Sequence, residues 1–218
     1  MADTIKIGNL DISSFKVGSD NCKIYLGDTL LYPQGETPYK RELSYLMKDS
    51  SHIGEVDLGL QITADFRVVM KIRYTNAGGS QFFGETDHSG GDADDFRFFC
   101  ASNRVYFDYG SNRINGYTST YLTTGSTDQE IELGNYYFKN ITKNKQLTGS
   151  TQSARSDNFV AFRSAGSDYG RIYYIKIYSG NTLVGDFIPV IDNNDNYTFY
   201  NKITGTICAV TGTLTGGL

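Results

Sequence analysis

Residues 171–190 read RIYYIKIYSGNTLVGDFIPV, and this stretch predicts two strands joined by a tight turn. Ile, Val, Tyr and Phe, which favour pleated sheet over helix, fill both runs. Gly180-Asn181 lies between the runs and suits the two-residue turn of a β-hairpin. The stretch therefore predicts one hairpin, with strands at Gly170–Tyr178 and Thr182–Ile188.

The same succession of short strands and turns extends outward from this hairpin. Phe66–Tyr74 alternates apolar and basic residues in its second half, as a half-buried strand does. Arg41–Lys48 is the only stretch that predicts the start of a helix, and Gly110–Gly125 predicts a loop with one strand. Further strands are predicted at Gln81–Phe83, Asp95–Cys100, Arg104–Tyr109, Glu130–Tyr137, Phe138–Lys145 and Asn158–Arg163. Short strands at close spacing predict an all-β fold, either a sandwich or a jelly roll.

The first 33 residues predict a separate β-hairpin unit. Short strand signals that each end at a glycine occur at Ile5–Gly8, Phe15–Gly18 and Lys23–Gly27. A unit of this size cannot bury a large core, so we expect it to lean on the main domain or on a partner chain. The predicted organisation is a hairpin unit at 1–33, a linker at 34–41 and a main domain at 42–218.

Charge and composition exclude several classes of protein. The 218 residues include 20 Lys and Arg against 24 Asp and Glu, a net charge of −4, without a basic run that would indicate nucleic-acid binding. No apolar run approaches the roughly 20 residues of a membrane helix, and the N-terminus does not read as a secretory signal. Three widely spaced cysteines without a CxxC pair predict neither a disulfide framework nor a zinc site, and they fit a reducing cytosol.

Acidic residues give the nearest approach to a catalytic site. Glu55 and Asp57 alternate on a predicted strand and therefore share one face, and glycosidases need two carboxylates. Laminarinase-type glucanases use an E-x-D-x-x-E pattern, but Leu60 stands at the third acidic position. Asp92–Asp95 lies near His88 in a spacing that favours a solvated loop over a metal site. Because no nucleophile motif accompanies the two histidines, we expect no enzymatic activity.

A second acidic segment has part of the pattern of a calcium loop. Asp192, Asn194 and Asn196 have the spacing of the first three oxygen ligands of such a loop. Tyr197 and Ile203 occupy the positions where the loop needs Gly and a bidentate Glu. Asx-rich segments also form turns by bonding their own backbone. The sequence therefore predicts a turn, with a calcium site as the alternative, and no other metal or cofactor.

A Gly-, Ser- and Asn-rich segment near residues 110–125 has tyrosines around it. Tyr109, Tyr117 and Tyr121 are the candidate residues for glycan binding, with Tyr106 beside them. An aromatic ring can stack on the face of a sugar while amide side chains bond its hydroxyl groups. The same composition is also typical of half-buried strands, so both interpretations stay open.

The C-terminal third resembles a recurrent module. Its distinctive residues are IKIY at 175–178, TLV at 182–184, DFIPV at 186–190 and FYNKITG at 199–205. They resemble the closing strands of the concanavalin-A-like (laminin-G-like) jelly rolls that are common in structural proteins of tailed phages and in gut bacteria. Asp57–Leu60 is similar to the opening D-T-G-I of that family. Gly185 and Asn201 depart from its usual Arg and Asp, which affects a salt bridge between these positions but not the fold.

The resemblance implies an all-β, concanavalin-A-like jelly-roll sandwich, preceded by the small N-terminal β-hairpin unit. It implies a non-enzymatic bacteriophage virion protein, made in the host cytoplasm and acting as a head fibre, capsid decoration or tail-associated adhesin. Its partners would be other capsid or tail proteins and further copies of itself, with neither nucleic acid nor membrane insertion. The expected attachment residues are Ile5, Ile7, Phe15, Val17, Ile24 and Tyr25. The alternative is a carbohydrate-binding, lectin-like module that recognises host or environmental glycans.

Overall fold

The computed structural model describes residues 37–74, 80–85, 96–109, 112–150, 157–163 and 170–218, together with five short strands between residues 5 and 32. The chain divides into two compact units, Met1–Thr37 and Pro38–Leu218. The division lies within the segment that the sequence predicts as a linker.

The first unit contains five short strands. They are β1 (Ile5–Ile7), β2 (Leu10–Ile12), β3 (Ser14–Lys16), β4 (Lys23–Leu26) and β5 (Thr29–Tyr32). β1 pairs antiparallel with β2, whereas β3, β4 and β5 form a three-stranded antiparallel sheet. Leu26 lies opposite Thr29, so only two residues connect β4 to β5. The sequence did not predict the strand at Leu10–Ile12.

Nearly all of the regular secondary structure in the described part of the second unit is strand. Its strands are β6 (Tyr39–Glu42), β7 (Tyr45–Lys48), β8 (Gly54–Gln61), β9 (Phe66–Tyr74), β10 (Ser80–Glu85), β11 (Arg97–Ala101), β12 (Arg104–Tyr109), β13 (Asn112–Tyr117), β14 (Asp128–Gly134), β15 (Tyr137–Asn140), β16 (Lys145–Thr148), β17 (Asn158–Ala161), β18 (Gly170–Ser179), β19 (Thr182–Asp192), β20 (Tyr197–Asn201), β21 (Thr206–Ile207), β22 (Ala209–Gly212) and β23 (Thr215–Gly217). One short helix, α1 (Thr118–Tyr121), follows β13. None of the described helical residues forms a helix long and apolar enough to cross a membrane.

These strands form two antiparallel sheets. The seven-stranded sheet has the order β13-β12-β11-β10-β17-β8-β22. The eleven-stranded sheet has the order β16-β15-β14-β9-β18-β19-β20-β21. Outside this order, β6 pairs with β19, and β7 pairs with both β18 and β23. The chain passes repeatedly between the two sheets. β8, β10–β13, β17 and β22 belong to one sheet and the intervening strands to the other.

The two sheets pack face to face as a β-sandwich with an aromatic core. In β9 every second side chain is buried, from Phe66 to Tyr74, which gives the half-buried strand that the sequence predicted there. Phe66 meets Phe159 of the opposite sheet at 5.6 Å between ring centres, and Phe98 stacks on Phe138 at 5.3 Å. Aromatic pairs at these separations contribute beyond the area that they bury. The core therefore lies between the sheets.

The β18–β19 hairpin confirms the pairing predicted from residues 171–190. Ser179 lies opposite Thr182, and Gly180 has a positive φ of 54° in the two-residue turn. β19 extends four residues beyond the predicted end at Ile188, to Asp192, because its far end pairs with β20 and with β6.

The predicted helix at Arg41–Lys48 is wrong, because the segment forms β6 and β7. Leu46 and Lys48 are buried while Tyr45 and Met47 are half-buried, which is the two-residue period of a strand. Lys48 donates from Nζ to the carbonyl oxygen of Arg163 at 3.4 Å. Pairing of β7 with β18 and β23 outweighs the helical preference of Leu, Met and Lys.

Gly185 and Asn201, which stand where the similar modules have Arg and Asp, each have a local role. Gly185 is buried, and a Cβ at this position would collide with the Phe187 ring and approach Leu60. A side chain as large as Arg therefore does not fit there. Asn201 accepts from the backbone N–H of Ile203 at 3.0 Å and of Asp186 at 3.3 Å. The Asn201 side chain therefore links the turn after β20 to β19 by hydrogen bonds and not by an ion pair.

Candidate functional site

The outer face of β11, β12 and β13 presents arginine and aromatic side chains in cross-strand rows. The antiparallel register places Arg97 opposite Asp108 and Asp108 opposite Arg113. The second row is Phe99, Tyr106 and Asn115, and the third is Ala101, Arg104 and Tyr117. Residues opposite each other on antiparallel strands lie about 5 Å apart, so these side chains form one surface. We call it the aromatic–arginine face, and it contains Arg97, Phe99, Arg104, Tyr106, Asp108, Arg113, Asn115 and Tyr117.

Aromatic rings and guanidinium groups pack together in the middle of this face. The rings of Phe99 and Tyr106 stack with centres 4.8 Å apart and planes within 9°. The Arg97 guanidinium lies 4.8 Å from the centre of the Phe99 ring, and that of Arg113 lies 5.4 Å from the centre of the Tyr106 ring. Cation–π contacts of this kind hold both partners in a fixed orientation. The middle of the face is therefore ordered.

Asp108 fixes the two arginines at one end of the face. Its side chain is only 2% exposed, although it points away from the core. Arg113 donates to both carboxylate oxygens, from Nε at 2.7 Å and from Nη2 at 2.8 Å. Arg97 donates from Nε to Oδ2 at 2.9 Å. Bidentate charge-assisted bonds are among the strongest in proteins, so Asp108 positions both guanidinium groups.

The opposite end of the face is exposed. Tyr117 is 61% exposed, and the Arg104 guanidinium lies 4.5 Å from the centre of its ring. Arg104 also donates from Nη1 to Oδ1 of Asn115 at 2.5 Å. The arginine therefore supports the tyrosine ring from one side and leaves much of its surface to the solvent.

A pocket adjoins Tyr117. It has a volume of about 390 Å³ and is lined by Asn103, Tyr117, Thr118, Ser119, Leu122 and Thr124. We call it the turn pocket, because Ser102 and Asn103 form the two-residue turn between β11 and β12, with positive φ values of 48° and 61°. The carbonyl oxygen of Asn103 accepts from the backbone N–H of Thr118 at 2.8 Å, which joins this turn to α1.

The three tyrosines predicted as glycan ligands do not share a surface. Tyr109 is only 2% exposed, and its ring packs on Phe66 and Phe96 in the core, so its prediction as a stacking residue is wrong. Tyr121 packs beneath Gly116, on the core side of β13. Tyr117 is on the outer face. Alternation along β12 and β13 puts Tyr109 on the core side and Tyr117 on the outer side, whereas Tyr121 lies on α1.

The segment predicted as a turn or a calcium loop forms a turn that bonds its own backbone. Oδ1 of Asp192 accepts from the backbone N–H groups of Asn194 and Asn196, both at 2.8 Å. Oδ2 accepts from Nδ2 of Asn196 at 3.0 Å. The Asp192 oxygens that a cation would bind thus already accept hydrogen bonds from the segment itself, which supports the turn interpretation. Among the described residues, no group of three or more His, Cys, Asp or Glu could hold a metal ion.

We expect the Asp192 turn to make stability depend on pH. Burial opposes ionisation, but hydrogen bonds from Asn196 and Asn194, together with the charge of Lys40, hold the pKa of Asp192 below its ordinary value. This stabilisation is present above the unfolded-state pKa of about 4 and is lost as the pH falls through the lower folded-state value. Asp192→Asn should cost about 1 kcal/mol at pH 7 and less at pH 3, measured by urea unfolding. Asp195→Asn, which changes the exposed neighbouring carboxylate, is the control. An unfolding cost of Asp192→Asn that is equal at pH 7 and pH 3 would contradict this account.

Glu55 and Asp57 share one side of a strand, as the sequence predicted. Oδ1 of Asp57 accepts from the backbone N–H of Gly59 at 2.8 Å, as in an Asx turn. Glu55 lies on the same side of β8, which alternates with the buried Val56 and Leu58. Burial and then the charge of Asp57 raise the pKa of the Cys208 thiol to about 12, so this thiol stays protonated at neutral pH.

Several predicted residues lie outside the described part of the chain. His88 and Asp92–Asp95 are among them, and so is Val17 of the predicted attachment set. For the rest of that set the structure describes backbone pairing only. These residues are Ile5, Ile7, Phe15, Ile24 and Tyr25.

Sequence reasoning missed most of the aromatic–arginine face. The signal was present in the strands RFFCA, RVYFDY and NRINGY, in which, except at Ala101, every second residue is charged, aromatic or amide. Comparison with known proteins gives no family for this chain. No family model matches it, and neither does any curated protein.

Proposed function

We propose that this chain is a non-enzymatic structural protein of a bacteriophage virion. The N-terminal unit attaches it to capsid or tail proteins, and the sandwich, as a concanavalin-A-like jelly roll, faces outward as a head fibre, decoration protein or adhesin. The main support for this proposal is the division of the chain into a small unit ending at Thr37 and a large sandwich with its own core. The resemblance of residues 175–205 to phage jelly-roll modules supports the same proposal.

The small unit has the properties expected of an attachment device. Its described strands are three or four residues long, and sheets of this size seldom bury a stable core alone. Short strands with open edges can add to the sheet of a partner, which gives affinity through main-chain hydrogen bonds. Attachment of several copies to a symmetric particle fits the expected homo-oligomer.

Deletion of residues 1–33 should abolish incorporation into particles. The sandwich should stay folded, since its core consists of residues from Leu43 to Leu214. The measurement is quantitative immunoblotting of purified particles, with the thermal unfolding of the purified variant as the control for folding. Normal incorporation of a folded deletion variant would remove the attachment proposal.

A second function, glycan recognition, is favoured by the aromatic–arginine face. Its exposed tyrosine, the neighbouring amide of Asn115 and the turn pocket provide a ring and hydrogen-bonding groups in one place. Ligand pockets commonly have volumes of roughly 300–1,000 Å³, so the turn pocket is of suitable size. An outward sandwich on a virion can serve display and recognition together.

Tyr117→Ala should weaken glycan binding by about tenfold or more, because it removes the stacking surface. Tyr136→Ala is the matched control, since Tyr136 is 46% exposed but follows β14 in the other sheet. The measurement is a glycan array followed by titration of the ligands found. Equal losses in the two variants, or none in either, would count against this face as the glycan site.

A further inference from the structure

The arginines of the aromatic–arginine face differ in their partners. Arg97 and Arg113 both bond the carboxylate of Asp108. Arg104 bonds the neutral amide of Asn115 instead. Within the residues that the structure describes, no carboxylate lies within ion-pair distance of Arg104. Among these described residues, Arg104 at the exposed end of the face is therefore a cation without an ion-pair partner.

This cation has donors left for an anion. A guanidinium group has five N–H donors in a planar fork that matches the two oxygens of a carboxylate. One N–H group of Arg104 bonds Asn115, and this bond, with the Tyr117 ring, fixes the orientation of the fork. A preorganised guanidinium loses less entropy on binding than a freely moving one.

The surroundings of Arg104 fit a sugar. The turn pocket adds the hydroxyl-bearing side chains of Ser119 and Thr124 and the amide of Asn103, while the buried Thr118 hydroxyl donates to the carbonyl oxygen of Asn103 at 3.0 Å. Such groups both donate and accept hydrogen bonds, as sugar hydroxyls require. The exposed ring of Tyr117 belongs to both the face and the pocket, so a stacked sugar could touch both.

We propose that Tyr117, Arg104 and the turn pocket bind an acidic glycan, with the sugar ring on Tyr117 and a sugar carboxylate on Arg104. This inference rests on glycan recognition as a function of the chain. It adds the chemical class of the ligand, a uronic or sialic acid, and it makes Arg104 the residue that selects for charge.

Charge favours an acidic sugar over a nucleic acid. Single-stranded nucleic acid binds along a basic track that contacts several phosphates. This chain has a net charge of −4, and two of the three arginines on the face already bond Asp108. The Arg104 guanidinium, which has no ion-pair partner in the described part of the chain, matches one carboxylate on a sugar.

The test uses the full-length protein and matched pairs of ligands. Oligosaccharides containing glucuronic, galacturonic or sialic acid are titrated beside their carboxyl methyl esters, which keep the ring and lose the charge. At least one acid should bind about tenfold more tightly than its ester. Arg104→Gln should bring this ratio to about one, and Arg104→Lys should keep part of it. Arg41→Gln is the control, because Arg41 is exposed on β6 of the other sheet.

The outcomes separate this inference from the function on which it rests. Equal binding of acids and esters would overturn the charge selection and leave glycan recognition intact. Binding of no sugar at all would overturn both. An acid preference that persists in a folded Arg104→Gln variant would overturn the role of Arg104. Tighter binding of a single-stranded oligonucleotide than of any acidic sugar would also overturn the inference.

Discussion

Phe66→Ala is expected to lower the free energy of unfolding by about 3–5 kcal/mol, the usual cost of removing a buried aromatic ring from a core. Phe66 is 3% exposed in the eleven-stranded sheet. Its ring makes edge contacts with Phe96, Tyr109 and Phe159 at 5.3–5.6 Å between centres. These three rings belong to the opposite side of the sandwich, so the substitution removes contacts that join the two sheets.

Urea unfolding measures this cost, and Tyr117→Ala is the matched control. Tyr117 is 61% exposed, so the control should change the free energy of unfolding by about 0.5 kcal/mol or less. The same control measures whether loss of glycan binding by Tyr117→Ala is separate from unfolding. Costs of similar size in both variants would contradict a core that is closed around Phe66.

Asp108→Asn is expected to lower the free energy of unfolding by about 3 kcal/mol, because it removes a buried carboxylate charge that accepts three charge-assisted hydrogen bonds from two arginines. The asparagine has the same shape, but its amide nitrogen cannot accept from a guanidinium. Arg97 and Arg113 would both lose a partner, and Arg97 is itself only 14% exposed.

The matched control for Asp108→Asn is Asp195→Asn. Asp195 pairs with Lys40 at 2.7 Å, but the two side chains are 76% and 45% exposed. Exposed ion pairs contribute about 0–1 kcal/mol, so this substitution should have little effect on urea unfolding. If the two variants cost the same small amount, Asp108 does not organise the aromatic–arginine face.

The strands with strong local patterns could be predicted from the sequence. The β18–β19 hairpin and β9 have β-branched and aromatic runs bounded by turn residues, and both occur where predicted. β6 and β7 could not, because Arg41–Lys48 contains good helix formers and becomes sheet only through pairing with β18, β19 and β23. Long-range pairing outweighs local preference at these positions.

The candidate site was predictable only in part. Tyr117 was singled out from the composition around it, but the sequence grouped it with Tyr109, which is buried on the core side of β12, and with Tyr121 of α1, which packs beneath Gly116. The register of β11, β12 and β13 decides which residues meet, and the two-residue turn at Ser102-Asn103 sets the register between β11 and β12. A one-residue shift in register would turn Arg104 and Tyr117 away from the outer face.

The fold explains why recognition would concentrate on this face. β13 is the end strand of the seven-stranded sheet, so the outer face of β11–β13 reaches the edge of the sandwich. Asp108 anchors one end through two arginines, and the other end stays accessible at Tyr117. A rigid sheet with one exposed end is suited to binding because its side chains are held in place before the ligand arrives.

The most direct test of the virion proposal is cryo-electron microscopy of the purified particle that contains this protein. The account predicts density for the sandwich projecting from the capsid or tail, with residues 1–37 in contact with particle proteins and the aromatic–arginine face turned to the solvent. Absence of the chain from purified particles, or a particle contact made through the sandwich with the N-terminal unit pointing outward, would contradict it.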